Sequence, residues 1–267
     1  MPLVEYRSRP SALAYMARAV LPSAAKRRPL AAPELVLRWR GVPAAPGVIG
    51  PFLHFHVVGF RLQMALLTHP AFPVPIWRML QVRNRLVQHR SPASLSSVDL
   101  ELRLAALRVL EKGFEADLHL SVIESASLAW ESVTTFYARG RFGAATALAV
   151  PSPSEPAGAP VAEWTMPRHG ALGFARLTGD YNGLHFSHAY ARRMGFASAF
   201  LHPQRVLDAC LKRLRPRAPR VLEAWLKGPV PYGARVRLLA ADEGGACRFG
   251  LWTEVDPRPA ILGIMRP

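Results

Sequence analysis

The sequence predicts an α+β chain in which one plan, a buried helix followed by antiparallel strands, occurs twice. Three observations carry this. The apolar run Ile49 to Leu67 precedes a series of alternating segments. Val150 to Pro160, VPSPSEPAGAP, then breaks the chain with four prolines. After the break a second helical run, Pro203 to Leu214, again precedes alternating segments. Proline fixes φ and removes a donor, so the break is neither a regular helix nor a central strand. It reads as an extended linker. The expected division is residues 1–149, a linker at 150–160, and residues 161–267.

Ser11 to Leu21 reads as a short amphipathic helix. Lys26-Arg27-Arg28 follows it, whereas a secretory leader carries its charge in front. Ile49 to Leu67 reads as a mostly buried helix, stopped by Pro70, Pro73 and Pro75. Ile76 to Arg90 is a strand candidate with Met79, Val82, Leu86 and Val87 toward the core. In Val98 to Val109, Val98, Leu100, Leu102 and Leu104 alternate with Asp99, Glu101 and Arg103, the period of a half-buried strand. Phe114 to Ile123 alternates in the same way, and Ser127 to Arg139 is rich in Val, Thr, Phe and Tyr.

Beyond the linker, a short strand ends near Trp164, and Gly170 to Leu177 and Ala189 to Met194 read as helices. Pro203 to Leu214 opens with the residue that suits a first turn and keeps Val206, Leu207, Cys210, Leu211 and Leu214 at three- and four-residue spacing. Strands follow at Val221 to Pro229, Ala234 to Ala241, Cys247 to Val255 and Ala260 to Met265. Gly244-Gly245 makes a hairpin turn. A helix wrapped by a curved antiparallel sheet is the hot-dog architecture, and two in one chain form a pseudo-dimer.

Composition narrows the function. Half of the 267 residues are hydrophobic, enough for a sizeable core. No uninterrupted apolar stretch has the roughly 18 residues of a membrane helix. Two cysteines, Cys210 and Cys247, exclude a disulfide scaffold and a four-cysteine zinc site. They suit a reducing cytoplasm. The formal charge of +16 favours anionic partners. The aromatic signatures of an RNA-binding sheet are missing, so nucleic acid is not expected. The densest basic run, Lys212 to Arg220, reads as a solvated loop. His54 and His56 alternate in apolar surroundings with no carboxylate nearby, so no metal is expected there. Cys210 lies at core spacing and is not expected to be a nucleophile.

One segment carries chemistry: Leu177-Thr178-Gly179-Asp180-Tyr181-Asn182-Gly183-Leu184-His185-Phe186. Held in a loop, Asp180 and His185 converge on a small volume where a carboxylate and an imidazole hold one water, one taking a proton while the other gives one. The Asn182 amide fixes the loop, and Gly179 and Gly183 allow unusual dihedrals. Read residue by residue, the alternative is a capping aspartate and a packed histidine.

The full string resembles the signature of MaoC-like hydratases and dehydratases, Ser-Gly-Asp-x-Asn-Pro-hydrophobic-His. In that family Gly-Phe and then His-Gly follow, and here these read Gly195-Phe196 and His202-Pro203. Pro229-Val230-x-x-Gly233 resembles the family's next strand and turn. Trp77 to Arg90, Lys112 to Glu115 and Trp130 to Ser132 resemble the degenerate first half of double hot-dog members.

The resemblance implies addition of water to a trans-2-enoyl thioester, giving an (R)-3-hydroxyacyl thioester, or the reverse. The carrier would be coenzyme A or an acyl carrier protein, with no cofactor, and the assembly a homodimer. It implies Asp180 and His185 as the catalytic pair and an acyl tunnel partly supplied by the first half. Three positions depart from the family: Thr178 for Ser, Gly183 for Pro and Pro203 for Gly. The family glycine donates an N–H to the thioester oxygen, and proline has none. The backbone amide of Gln204 is the substitute. Leu207 to Leu211 also lacks the hydroxyl that the family places on this helix. A non-catalytic thioester binder and a thioesterase on the same fold remain as alternatives.

Overall fold

The computed structural model describes residues 2–20, 34–44, 49–215 and 219–267. Eleven strands form one sheet in the order β1-β2-β4-β5-β6-β3-β8-β11-β10-β9-β7. The first six in that order are β1 (Leu3–Tyr6), β2 (Val36–Pro43), β4 (Ser97–Leu110), β5 (Gly113–Glu124), β6 (Ser127–Arg139) and β3 (Leu80–Gln88). The other five are β8 (Val221–Leu226), β11 (Asp256–Arg266), β10 (Ala246–Thr253), β9 (Arg235–Glu243) and β7 (Ala162–Thr165). The two series meet where β3 pairs antiparallel with β8, Asn84 opposite Ala224 and Leu86 opposite Leu222. Among the described residues, β1 and β2 alone pair in parallel.

Among the described residues, five α-helices accompany the sheet: α1 (Ala12–Val20), α2 (His54–Leu67), α3 (Ala171–Thr178), α4 (His188–Arg193) and α5 (Pro203–Leu214). α2 is buried along nearly its whole length, including His56 and Gln63. A helix apolar nearly all round must lie inside, and α2 is the centre of the first half. Gly59 permits this: a Cβ there would stand 2.3 Å from Leu120 of β5. α5 is two-faced. It buries Val206, Leu207 and Cys210 in the same core. On its outer side the Arg213 guanidinium lies 3.6 Å from the Trp164 ring centroid.

The period-two reading of β4 matches its burial: Val98, Leu100, Leu102 and Leu104 point inward. Several boundaries differ from expectation. Ile76–Arg78 is a 3₁₀ turn after Pro75, and the strand begins at Leu80. β8 stops at Leu226, short of the Gly-Pro pair. β11 starts at Asp256: Pro257 is exposed and Pro259 buried, and both precede Ile261, where the continuous ladders to β10 and β8 begin. Lys212 to Leu214 extend α5 rather than joining a loop, while residues 216–218 lie outside the description, as do Lys26-Arg27-Arg28. β1 and β2 were not expected.

The proline-rich segment has no helix or strand but is docked. Trp225 Nε1 donates to the Val150 carbonyl at 3.4 Å, and Arg248 Nη1 to Ser154 Oγ at 2.5 Å. Pro156 is buried. No described helix is long and apolar enough to cross a membrane.

Candidate active site

α3 ends where Gly179 adopts a left-handed φ of 77° and its N–H caps the Ala175 carbonyl at 2.7 Å. A side chain is excluded there twice over. The dihedral disfavours it, and a Cβ would stand 1.7 Å from Tyr15 Oη. Gly183 serves differently from expectation: its φ is not positive, but a Cβ would meet the Tyr190 ring at 2.8 Å.

Local bonds then shape the loop. The Asp180 amide donates to Thr178 Oγ1 at 3.1 Å, and the Asn182 amide to Asp180 Oδ1 at 3.1 Å. Asn182 Oδ1 accepts the Leu184 amide at 3.1 Å, capping the short turn Gly183–His185. Asn182 thus acts on the backbone.

His185 is held at both ends. Its Nδ1 lies 2.9 Å from the Phe200 carbonyl, which can only accept, so Nδ1 carries the proton. Tyr232 Oη donates to the His185 carbonyl at 3.1 Å. The remaining nitrogen, Nε2, faces Asp180 Oδ2 at 3.6 Å. That is too long for a direct hydrogen bond. It suits two groups that share a third molecule.

Both residues are largely buried, Asp180 8% and His185 5% exposed. Burial alone pushes the Asp180 carboxyl up. His185, His202 and the Asn182 amide outweigh it and hold the carboxyl at about 2, so it is ionised at neutral pH.

His202, given no role from the sequence, is fully buried and stacks on His185 with ring centroids 3.8 Å apart. Its Nε2 donates to the Asp180 carbonyl at 3.1 Å, and its Nδ1 has no partner. Burial, reinforced by the neighbouring His185, lowers its pKa to about 4, so it is neutral at pH 7. Asp180, His185 and His202 offer ligand atoms within 4.8 Å of one another. Metal ligation needs imidazole planes that converge on the ion. These two rings stack at an interplanar angle of 22°, which suits proton chemistry better.

The pair opens on a cavity of about 310 Å³. Both halves line it: Phe60 and Met64 from α2, Phe136 from β6, and Met79 beside β3 face the Asp180 loop. Tyr15 and Met16 of α1 also line it, although nothing local in the sequence linked α1 to the loop. Pro203 lines the cavity at the start of α5, while Gln204 is buried behind it with its side chain on Gln81. The Arg205 amide returns to the His202 carbonyl at 3.0 Å. With no N–H on Pro203, Gln204 carries the first amide of the helix.

His54 and His56 sit away from this cavity on α2. Burial lowers both, His56 to about 4. Burial pushes the Cys210 thiol up to about 12, which leaves it inert.

No family model matches the chain. Over 227 residues it is 25% identical to 3-hydroxyacyl-thioester dehydratase X of Mycobacterium tuberculosis, spanning 81% of this chain and 78% of that protein. A crystal structure of that organism's HtdX superposes with a TM-score of 0.69 at 21% identity, covering 86% of this chain and 99% of the other. A MaoC-like dehydratase from Phytophthora capsici gives 0.62 at 16% identity, covering 72% and 70%. A conserved double hot-dog protein of M. tuberculosis gives 0.52 at 16% identity, covering 95% and 91%. The fold is the double hot dog expected from the sequence, and the resemblance to MaoC-like dehydratases extends over most of the chain.

Proposed function

We propose that this double hot-dog protein, similar to MaoC-like dehydratases, is a hydro-lyase that interconverts trans-2-enoyl and (R)-3-hydroxyacyl thioesters. The single observation behind the reading is the Asp180–His185 contact of 3.6 Å at the wall of an apolar cavity shared by both halves. Residues 1–149 are read as the degenerate half, 150–160 as the connector and 161–267 as the half with the reacting groups.

In this mechanism one water sits between the Asp180 carboxylate and His185 Nε2. One of the pair takes a proton from the water as its oxygen bonds to C3. The C2–C3 π electrons move toward the thioester oxygen; they then return to form the C2–H bond with a proton given up by the pair, which ends as it began. The developing negative charge on the thioester oxygen is met at the N-terminus of α5 by the Gln204 amide and the helix dipole.

The excess of basic residues suits capture of an anionic carrier, coenzyme A or an acidic acyl carrier protein. A homodimer in a reducing cytoplasm completes the proposal, and light scattering of the purified protein tests the dimer.

Crotonyl-CoA is the first substrate to try. Loss of enoyl absorbance is expected, with Asp180→Asn and His185→Ala each slowing it by about 10²–10⁴. Unchanged turnover in both variants sinks the assignment. Pro203, which lacks the amide donor, favours one second reading, a binder without turnover. Tight binding with constant absorbance selects that reading, and release of free thiol indicates a thioesterase.

A further inference from the structure

Helix C-termini leave carbonyls without intrahelical partners. At the end of α3 and along the loop to Asp180, four such carbonyls accept side-chain donors from outside the motif. Arg61 and Arg9 both donate to the Arg176 carbonyl. Both also reach Leu177 O, Arg61 Nε at 3.1 Å and Arg9 Nη2 at 3.0 Å. Tyr15 Oη donates to Gly179 O at 3.1 Å, and His202 to Asp180 O at 3.1 Å. Three of these four donors precede residue 62.

Arg61 is central to this clamp. It projects from α2, the buried helix of the other half, and is 5% exposed. Its third donor, Nη1, bonds the Pro10 carbonyl at 2.9 Å, so one guanidinium ties α2, the segment before α1 and the end of α3 together. Among the described residues no carboxylate forms an ion pair with it. A buried cation without an acidic partner is costly. Here the carbonyls at the negative end of the α3 dipole compensate it. Burial lowers its pKa from the usual arginine value, as expected for a cation held only by dipoles. Contact is close: a Cβ on Gly179 would stand 3.2 Å from Arg61 Cγ.

His185 is anchored separately, through Phe200 and Tyr232. Besides His202, which touches both, Asp180 and His185 thus have separate anchors, and the gap between them depends on each. We infer that Arg61 is a positioning residue for Asp180, fixing the end of α3 so that the carboxylate stands at its working distance from His185. This rests on reading Asp180 and His185 as the reacting pair.

The test is Arg61→Ala in the full chain, assayed with crotonyl-CoA. A fall in kcat of about tenfold to a hundredfold is expected, with KM within about threefold. Guanidinium chloride at non-denaturing concentration should restore part of the rate, and equal sodium chloride should not. Ring ¹⁵N signals of His185 give a second readout that needs no turnover. They should move in the direction produced by Asp180→Asn.

If Arg61→Ala does not fold, Arg61→Lys and Tyr15→Phe carry the test, with smaller losses of kcat and the same direction of ring shift. A folded variant with wild-type kcat and unmoved ring signals overturns the inference. So does a loss of kcat with unmoved signals, because the effect then runs through something other than the pair. A wild-type protein that turns nothing over refutes the functional reading alone, and the ring signals still decide the role of Arg61.

Discussion

The two halves share a plan and divide the work. In the second half a polar loop precedes the central helix α5 and carries Asp180 and His185. In the first half, no such loop precedes the central helix α2 among the described residues, and α2 is buried nearly all round. It contributes cavity wall through Phe60 and Met64, and the buried guanidinium of Arg61 that grips the end of α3 in the other half. Each half also has one fully buried histidine on or beside its central helix. His202 bonds the Asp180 backbone, whereas neither ring nitrogen of His56 has a partner. On the proposed reading, a double hot dog needs its reacting groups once, and the other half is then free to supply shape and support.

The sharpest way to probe this division is Pro203→Gly. The residue lines the cavity at the start of α5, where the proposed mechanism places the thioester oxygen. Restoring the donor should raise kcat on crotonyl-CoA, by up to about the hundredfold that one oxyanion donor contributes elsewhere. KM should change little. If Pro203→Gly leaves kcat unchanged, the Gln204 amide already serves and the departure from the family pattern is silent.

The loop was readable because Asp180, Asn182 and His185 act over short spacings, where residue order fixes geometry. The alternation in β4 and the spacing in α5 were readable for the same reason. β1 and β2 were not: one is four residues long, and their pairing bridges a long separation in sequence. The clamp was invisible on the same principle. Arg61 meets Leu177 across 116 positions, and Tyr15 meets Gly179 across 164. No local pattern encodes such contacts. Gly183 shows a subtler failure. The glycine was noticed, but its cause is the nearby Tyr190 ring rather than the dihedral.

A second, smaller effect concerns the two buried histidines. Burial lowers His56 and His202 to about 4, below the usual 6.5. Below pH 6.5 the unfolded chain therefore binds protons that the folded chain refuses. Stability is complete above about 6.5 and falls as the pH drops toward 4. Each histidine should account for on the order of 2–3 kcal/mol of that loss. Urea titrations of wild type and His56→Leu from pH 7 to 4 measure it. The variant should lose less stability than wild type over this range while keeping its activity. Parallel curves would mean that His56 titrates normally.

The smallest contrast lies in two hairpin turns, one per half. Gly244 and Gly245, between β9 and β10, have φ of 57° and 81°. Ser125 and Ala126, between β5 and β6, take φ of 50° and 64° with side chains attached. Both are two-residue turns with left-handed backbone at each position, which glycine adopts freely and L-residues do not. The Ser125-Ala126 turn therefore bears backbone strain that the Gly244-Gly245 turn avoids. Ala126→Gly should raise stability by about 0.5–1 kcal/mol, the relief being partly offset by the freer unfolded chain. Gly245→Ala should lower it by about 1 kcal/mol. A Cβ at Gly245 meets nothing within 4 Å, so that change reports the backbone alone. Calorimetry on the two variants should give opposite shifts in Tm of a few degrees or less. Shifts of the same sign would mean that contacts around the turns, rather than their dihedrals, set the difference between the halves.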